Sequence, residues 1–150
     1  MKPRRIQALV IAAAVFGVAA CDEKLRDIAG PTPQLTPTLA SVQRFVFSAP
    51  DSSGRLACTG CHTNVGRTPS GGLNLIEGSS YQALVGVPST QKPGAIRVIA
   101  GDPGNSYLLK KLDGSSDIAG VRMPRGNGPF LTPGQISILR RWIELGAKNN

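Results

Sequence analysis

Apolar residues recur at helical spacing in a few short stretches of this chain, separated by long polar segments rich in proline and glycine. Leu39, Val42 and Val46 fall at i, i+3 and i+7, which predicts a helix from Pro37 to Phe47 with Thr36 as N-cap and Pro37 in the first helical position. A short helix is expected from Ser80 to Val85, with Ser79 and Gln82 as a capping box and Gly86 as the stop. Ile96-Arg97-Val98-Ile99 reads as an extended stretch too short and solitary to build a sheet. Asp102-Pro103 opens a third helix running to about Leu112, with Asp102 as cap, Tyr107, Leu108 and Leu112 facing inward, and Asp113-Gly114 at its end. The last helix carries the clearest signals: Thr132-Pro133-Gly134-Gln135 combines an N-cap, a proline in the first turn and a glutamine that completes a capping box. Ile136, Leu139 and Ile143 then form an apolar stripe with Trp142 beside it, closed by Gly146.

These elements give an all-α class with few short helices and long loops. Composition sharpens that picture, because 18 glycines and 12 prolines fill one position in five of 150, which rules out a long regular bundle. Four Phe, two Tyr and one Trp are few aromatics for a core at this length, so a bound apolar group would help the chain fold.

The N-terminus alters the charge. Lys2, Arg4 and Arg5 precede 15 uncharged residues, Ile6 to Ala20, a run shorter than a membrane span. Val18-Ala19-Ala20-Cys21 resembles a bacterial lipobox, which implies a signal peptide over residues 1–20, a lipid on Cys21 and a membrane-anchored product. Removing three basic residues from 17 leaves 14 against 9 acidic ones, a net +5 in place of +8. That charge is spread without a basic cluster or interleaved aromatics, so nucleic-acid binding is not expected. Residues 21–37, with Gly30-Pro31-Thr32-Pro33 and Thr36-Pro37, read as a tether, and residues 38–150 as one domain.

With Cys21 lipidated, the remaining thiols stand together in Cys58-Thr59-Gly60-Cys61-His62. This C-x-x-C-H spacing is the signature of covalent haem c attachment: two thiols reach two vinyl groups on one porphyrin edge, and the adjacent histidine lies under the iron. A zinc ribbon needs a second ligand pair, and His62 is the sole histidine. A thioredoxin-like dithiol needs a preceding strand where Ser52-Ser53-Gly54-Arg55 stands, and a disulfide across two residues would be strained. The expected cofactor is therefore one covalent haem c on Cys58 and Cys61, with His62 as proximal iron ligand. Met123 is the only methionine beyond the signal segment. It lies 61 residues after His62 in the polar loop Gly120-Val121-Arg122-Met123-Pro124-Arg125-Gly126, where a core filler has little core to fill, and it is the expected distal ligand.

From Leu39 to Ala147 the chain resembles class I monohaem cytochrome c domains. Gly101-Asp102-Pro103-Gly104-Asn105-Ser106, Arg122-Met123-Pro124 and Leu131-Thr132-Pro133 leading into Trp142-Ile143-Glu144-Leu145-Gly146-Ala147 are similar to small exported bacterial haem proteins. The resemblance implies a cytochrome c-like fold with N- and C-terminal helices packed around one buried haem, thioethers at Cys58 and Cys61, and axial ligands at His62 and Met123. It also implies a proline carbonyl accepting from the proximal histidine, for which Pro69 is the candidate. Ten residues separate Phe47 from Cys58, a longer connection than the family pattern.

The function expected is single-electron transfer between redox partner proteins by a periplasm-facing lipoprotein, without catalysis of its own. Asp22 after the lipidated cysteine resembles an inner-membrane retention signal, which favours the inner membrane over the outer. Six-coordinate iron leaves no substrate position, and with its one histidine on iron the chain has no Ser-His-Asp or Cys-His nucleophile. A haem-based gas sensor, a haem subunit of a larger dehydrogenase or oxidase, and a lipoprotein without haem are the alternatives. Arg122 and Arg125 either ring the haem edge, steering an acidic partner or pairing a propionate, or are solvated loop charges. Tyr107 and Trp142 either reach a propionate or pack in the core.

Overall fold

The computed structural model describes residues 34–126 and 128–150. The expected signal segment 1–20, Cys21 and most of the 21–37 tether lie outside the described residues. Within them regular structure is helical, and strand pairing is confined to isolated bridges joining Val85 to Val98, Pro88 to Ile96 and Ile99 to Asp102. The class is all-α, as the pattern predicts.

Helix α1, Leu39–Val42, runs directly into a π-helical segment, Gln43–Phe47. Its cap is Thr38, two residues beyond the predicted Thr36: Thr38 is extended and its hydroxyl accepts from the Ser41 N–H at 3.2 Å. Thr36 fails as cap because its own N–H donates to Ser41 Oγ at 2.8 Å and its carbonyl takes the Thr38 N–H, which places Pro37 in the approach turn. The next two N–H groups, of Leu39 and Ala40, donate to the side-chain and backbone oxygens of Asn150, so the C-terminal tail completes the cap. Leu39, Val42 and Val46 are buried as their spacing requires, and Phe47 joins them. Gln43, also buried, donates to the Leu75 carbonyl and accepts from Ser80 Oγ, tying α1 to the next helix.

Helix α2, Ser80–Leu84, lacks the predicted capping box and ends one residue early. Ser79 is already in helical conformation, because the N–H groups of Ser79 and Ser80 both turn back onto the Ile76 carbonyl. Helix α3, Tyr107–Asp113, begins at Ser106 rather than Asp102. The Asp102 carboxylate accepts from the backbone and side chain of Asn105, closing a local turn. Ser106 Oγ donates to the Asp102 carbonyl at 2.7 Å and accepts from Ile99 N–H at 2.9 Å, fixing the helix start there. Gly114 ends α3 in the left-handed conformation, as predicted. Tyr107 and Leu112 are buried, Leu108 is half-buried, and Leu109 is a fully inward residue that the stripe did not include.

Helix α4, Pro133–Glu144, starts on the predicted capping box: Thr132 Oγ1 accepts from Gln135 N–H at 3.2 Å, and Gln135 Oε1 accepts from Thr132 N–H at 2.9 Å. Its buried stripe, Ile136, Leu139 and Ile143 with Trp142, packs against α3 and joins the α1 residues in one core.

Candidate functional site

The segment from Cys58 folds as a tight arc. A 3-10 turn, Cys58–Gly60, is closed by the N–H groups of Cys61 and His62 on the Cys58 carbonyl at 3.2 and 2.9 Å. The arc holds Cys58 half-buried and Cys61 exposed, both as free thiols. Cys58 Sγ donates to the Val46 carbonyl at 3.4 Å, and burial pushes its thiol pKa up against the pull of Arg55.

His62 is oriented by a backbone carbonyl. Its Nδ1 sits 3.0 Å from the oxygen of Ser70, so Nδ1 carries the proton and Nε2 keeps its lone pair for a ligand. The acceptor is Ser70 and not the expected Pro69, whose carbonyl is spent on the Gly72 N–H at 2.9 Å in closing the 3-10 turn Ser70–Gly72. Two further bonds pin this loop to the arc, Ser70 N–H to the Cys61 carbonyl and Leu75 N–H to the His62 carbonyl. Burial, before any other cause, lowers the imidazole pKa and favours the neutral, ligating form.

Met123 stands on a strap fastened to α3. Its N–H donates to the Lys111 carbonyl at 2.8 Å, Arg122 Nε donates to the Leu112 carbonyl at 2.7 Å, and Tyr107 Oη accepts from Ala119 N–H at 2.8 Å. Lys111 Nζ donates to the carbonyls of Ala119 and Val121 at 2.9 and 2.6 Å. The Met123–Pro124 peptide is cis.

Cys58, His62 and Met123 all border one open pocket. Its apolar wall comes from Val46 and Phe47 of the π-helical segment after α1, Leu84 of α2, Leu108 and Leu112 of α3, and Leu73 and Leu75 of the loop before α2. Cys61 does not border it and stands exposed on the turn beside it. Among the described residues no three His, Cys, Asp or Glu side chains group to hold an ion. The largely apolar lining, the imidazole of His62, the thioether of Met123 and the thiols of Cys58 and Cys61 are residue types that fit a covalently attached haem, which Cys58, Cys61, His62 and Met123 would hold.

The other expected neighbours are placed differently. Arg122 leaves the pocket to stack on the Phe130 ring at 4.1 Å, and Arg125 is exposed away from it. Trp142 Nε1 donates to the Lys148 carbonyl at 2.9 Å inside the core. Of the four only Tyr107 borders the pocket, with its hydroxyl committed to the strap.

Sequence reasoning missed the residue that supports the arc. Arg55 is 0% exposed, and its guanidinium reaches the carbonyls of Phe45, Val46, Ala49 and Leu56 and the carboxylate of Asp51 at 3.0 Å. Asp51 in turn accepts from Gln135 Nε2 at 3.2 Å, joining the segment before Cys58 to the first turn of α4. Burial works to raise the Asp51 pKa, but hydrogen bonds from Ser53, Gln135 and Arg55 outweigh it and hold the group at about 2. The only sequence cue is an acid and a base four apart, in a loop where that spacing has no fixed meaning. No protein-family model, curated protein or solved structure matches this chain.

Proposed function

We propose that this chain is a monohaem c-type cytochrome that passes single electrons between redox partner proteins, held at the periplasmic face of a membrane, the inner one by preference, through a lipid on Cys21. The observation that carries the reading is the convergence of Cys58 and His62, from one turn, and Met123, from a strap 61 residues further on, on one largely apolar pocket. In this reading Cys58 and Cys61 bind the cofactor as thioethers, His62 is its proximal ligand and Met123 its distal ligand within a cytochrome c-like fold. The haem supplies a one-electron Fe(II)/Fe(III) couple. The chain's own part is to hold that couple. Ser70 keeps His62 in the ligating tautomer, the α3 bonds hold Met123 in place, and the apolar wall excludes water. A thioether is a weak donor that favours the ferrous state and raises the potential. No helix among the described residues is long and apolar enough to cross a membrane, and the proposed attachment rests on Cys21.

Absorption spectra of the exported protein, oxidised and reduced, with and without carbon monoxide, test this. Low-spin bands, a weak far-red iron–methionine band and indifference to carbon monoxide are expected. A high-spin spectrum that shifts with the gas would remove Met123 as ligand and favour a sensor, and a colourless protein would overturn the reading entirely.

A further inference from the structure

Two cations stand on the pocket wall without counter-ions. Arg97 and Lys111 are each 8% exposed, and both border the cavity, which no Asp or Glu lines. Among the described residues no carboxylate pairs with either, whereas the other buried cation, Arg55, has Asp51 beside it. Burying an unpaired positive charge is unfavourable, and here it happens twice around one cavity. Backbone carbonyls meet part of the need. Arg97 donates to Ala83, Gly71 and Gly72, and Lys111 to Ala119 and Val121. Those bonds use three of the five guanidinium donors and two of the three ammonium donors. Three donors and two full charges are left for whatever fills the pocket.

We infer that Arg97 and Lys111 form a two-point carboxylate site that receives the two propionates of the bound porphyrin. The inference rests on the proposed haem reading and extends it to residues outside the attachment motif. Two anionic arms on an apolar ring match two buried cations on an apolar wall, in number and in sign. Both cations also act on the axial ligands. Arg97 clamps Gly71 and Gly72, next to the Ser70 carbonyl that orients His62, and Lys111 holds the Met123 strap. Filling the site with carboxylates would thus lock both ligand loops.

The test is redox titration of the full-length holoprotein between pH 5 and 8, unaltered and as Lys111→Gln and Arg97→Lys. The remaining titratable groups on the wall are Cys58, His62 and Tyr107, and the first two are consumed by cofactor binding. Propionates held ionised by two cations release no proton on oxidation, so the unaltered midpoint potential should stay flat across this range. Lys111→Gln should lower the potential at pH 7 and give it a slope towards pH 5, while Arg97→Lys, which keeps the charge, should stay near the unaltered value. Equal potentials and equal profiles in all three would overturn the inference. Because either variant could lose its fold, redox-difference infrared spectra of the unaltered holoprotein give a second reading. A propionic acid carbonyl band appearing by pH 5 would also overturn it, and no such band is expected. A protein without haem would instead defeat the earlier proposal, so the two failures are distinct.

Discussion

Replacing Asp51 by Asn keeps the side chain's shape and removes its charge from beside Arg55. The carboxylate is 1% exposed, accepts from Ser53, Gln135 and Arg55, and titrates at about 2 in place of 3.8. At 1.36 kcal/mol for each tenfold change in proton affinity, that difference corresponds to about 2 kcal/mol of stability at neutral pH. Leaving Arg55 buried without its partner adds to the loss, since breaking one side of a buried pair costs about 3–5 kcal/mol. Arg55 retains four carbonyl acceptors, which puts the expected loss at the low end of that range, about 3 kcal/mol. In a domain of this size the melting temperature should fall by about 10 °C. The pH dependence gives the sharper test. A carboxylate with a lowered pKa contributes fully above its ordinary value and loses that contribution as the pH falls through about 2. The gap between unaltered and Asp51→Asn proteins should therefore be constant from pH 7 to 5, lose about half of its linked part by pH 3, and be mostly closed near pH 2. Urea unfolding followed by the fluorescence of Trp142, the single tryptophan, measures it. A gap of the same size at pH 7 and pH 3 would refute the account of Asp51.

Three further outcomes follow from the geometry. Gly114→Ala places a Cβ 2.8 Å from Arg122 Cδ at a φ of +76°, so it should cost about 1–2 kcal/mol and, by displacing Arg122, loosen the Met123 strap. Thermal unfolding and, under the proposed function, carbon monoxide binding by the reduced protein both report it, and no change in either would count against the strap. Thr132→Ala deletes one half of the α4 capping box and should lower stability by about 1 kcal/mol in thermal melts followed by circular dichroism. An unchanged melt would mean that Gln135 alone holds the helix start. Met123→Leu preserves apolar volume but removes the thioether. Under the proposed function it should keep covalent haem, lose the far-red band and bind carbon monoxide, and a spectrum identical to the unaltered protein would refute Met123 as ligand.

Elements whose information lies in neighbouring residues were legible in the sequence. The α4 start is complete within Thr132-Pro133-Gly134-Gln135, the α1 stripe within three apolar residues, and the α3 stop within Gly114. Helix starts were misplaced where a competing bond came from outside the local pattern. Ser41 Oγ claims Thr36, Ile76 claims Ser79, and Asn105 claims Asp102. At the site, the spacing of Cys58, Cys61 and His62 and the isolation of Met123 marked the residues, and three of the four border one cavity. The residues that hold them were not legible. Arg97 reaches back 26 positions to Gly71, and Gln135 reaches 84 positions to Asp51; no local periodicity encodes such distances. The same holds for Ser70, which replaces Pro69 because a turn bond had already taken the proline's oxygen.

The Arg55 hub also bears on how the molecule opens. One guanidinium joins the last carbonyls of the first helix, the segment leading to the thiols and, through Asp51, the first turn of the last helix. None of these parts can peel away alone without stranding a charge in a dry interior, so partial loosening is penalised and concerted release is not. Amide protons on the three segments should exchange with a common free energy of opening, close to that of whole-domain unfolding. The turn that carries both thiols thus gains its rigidity from one arginine rather than from a larger core.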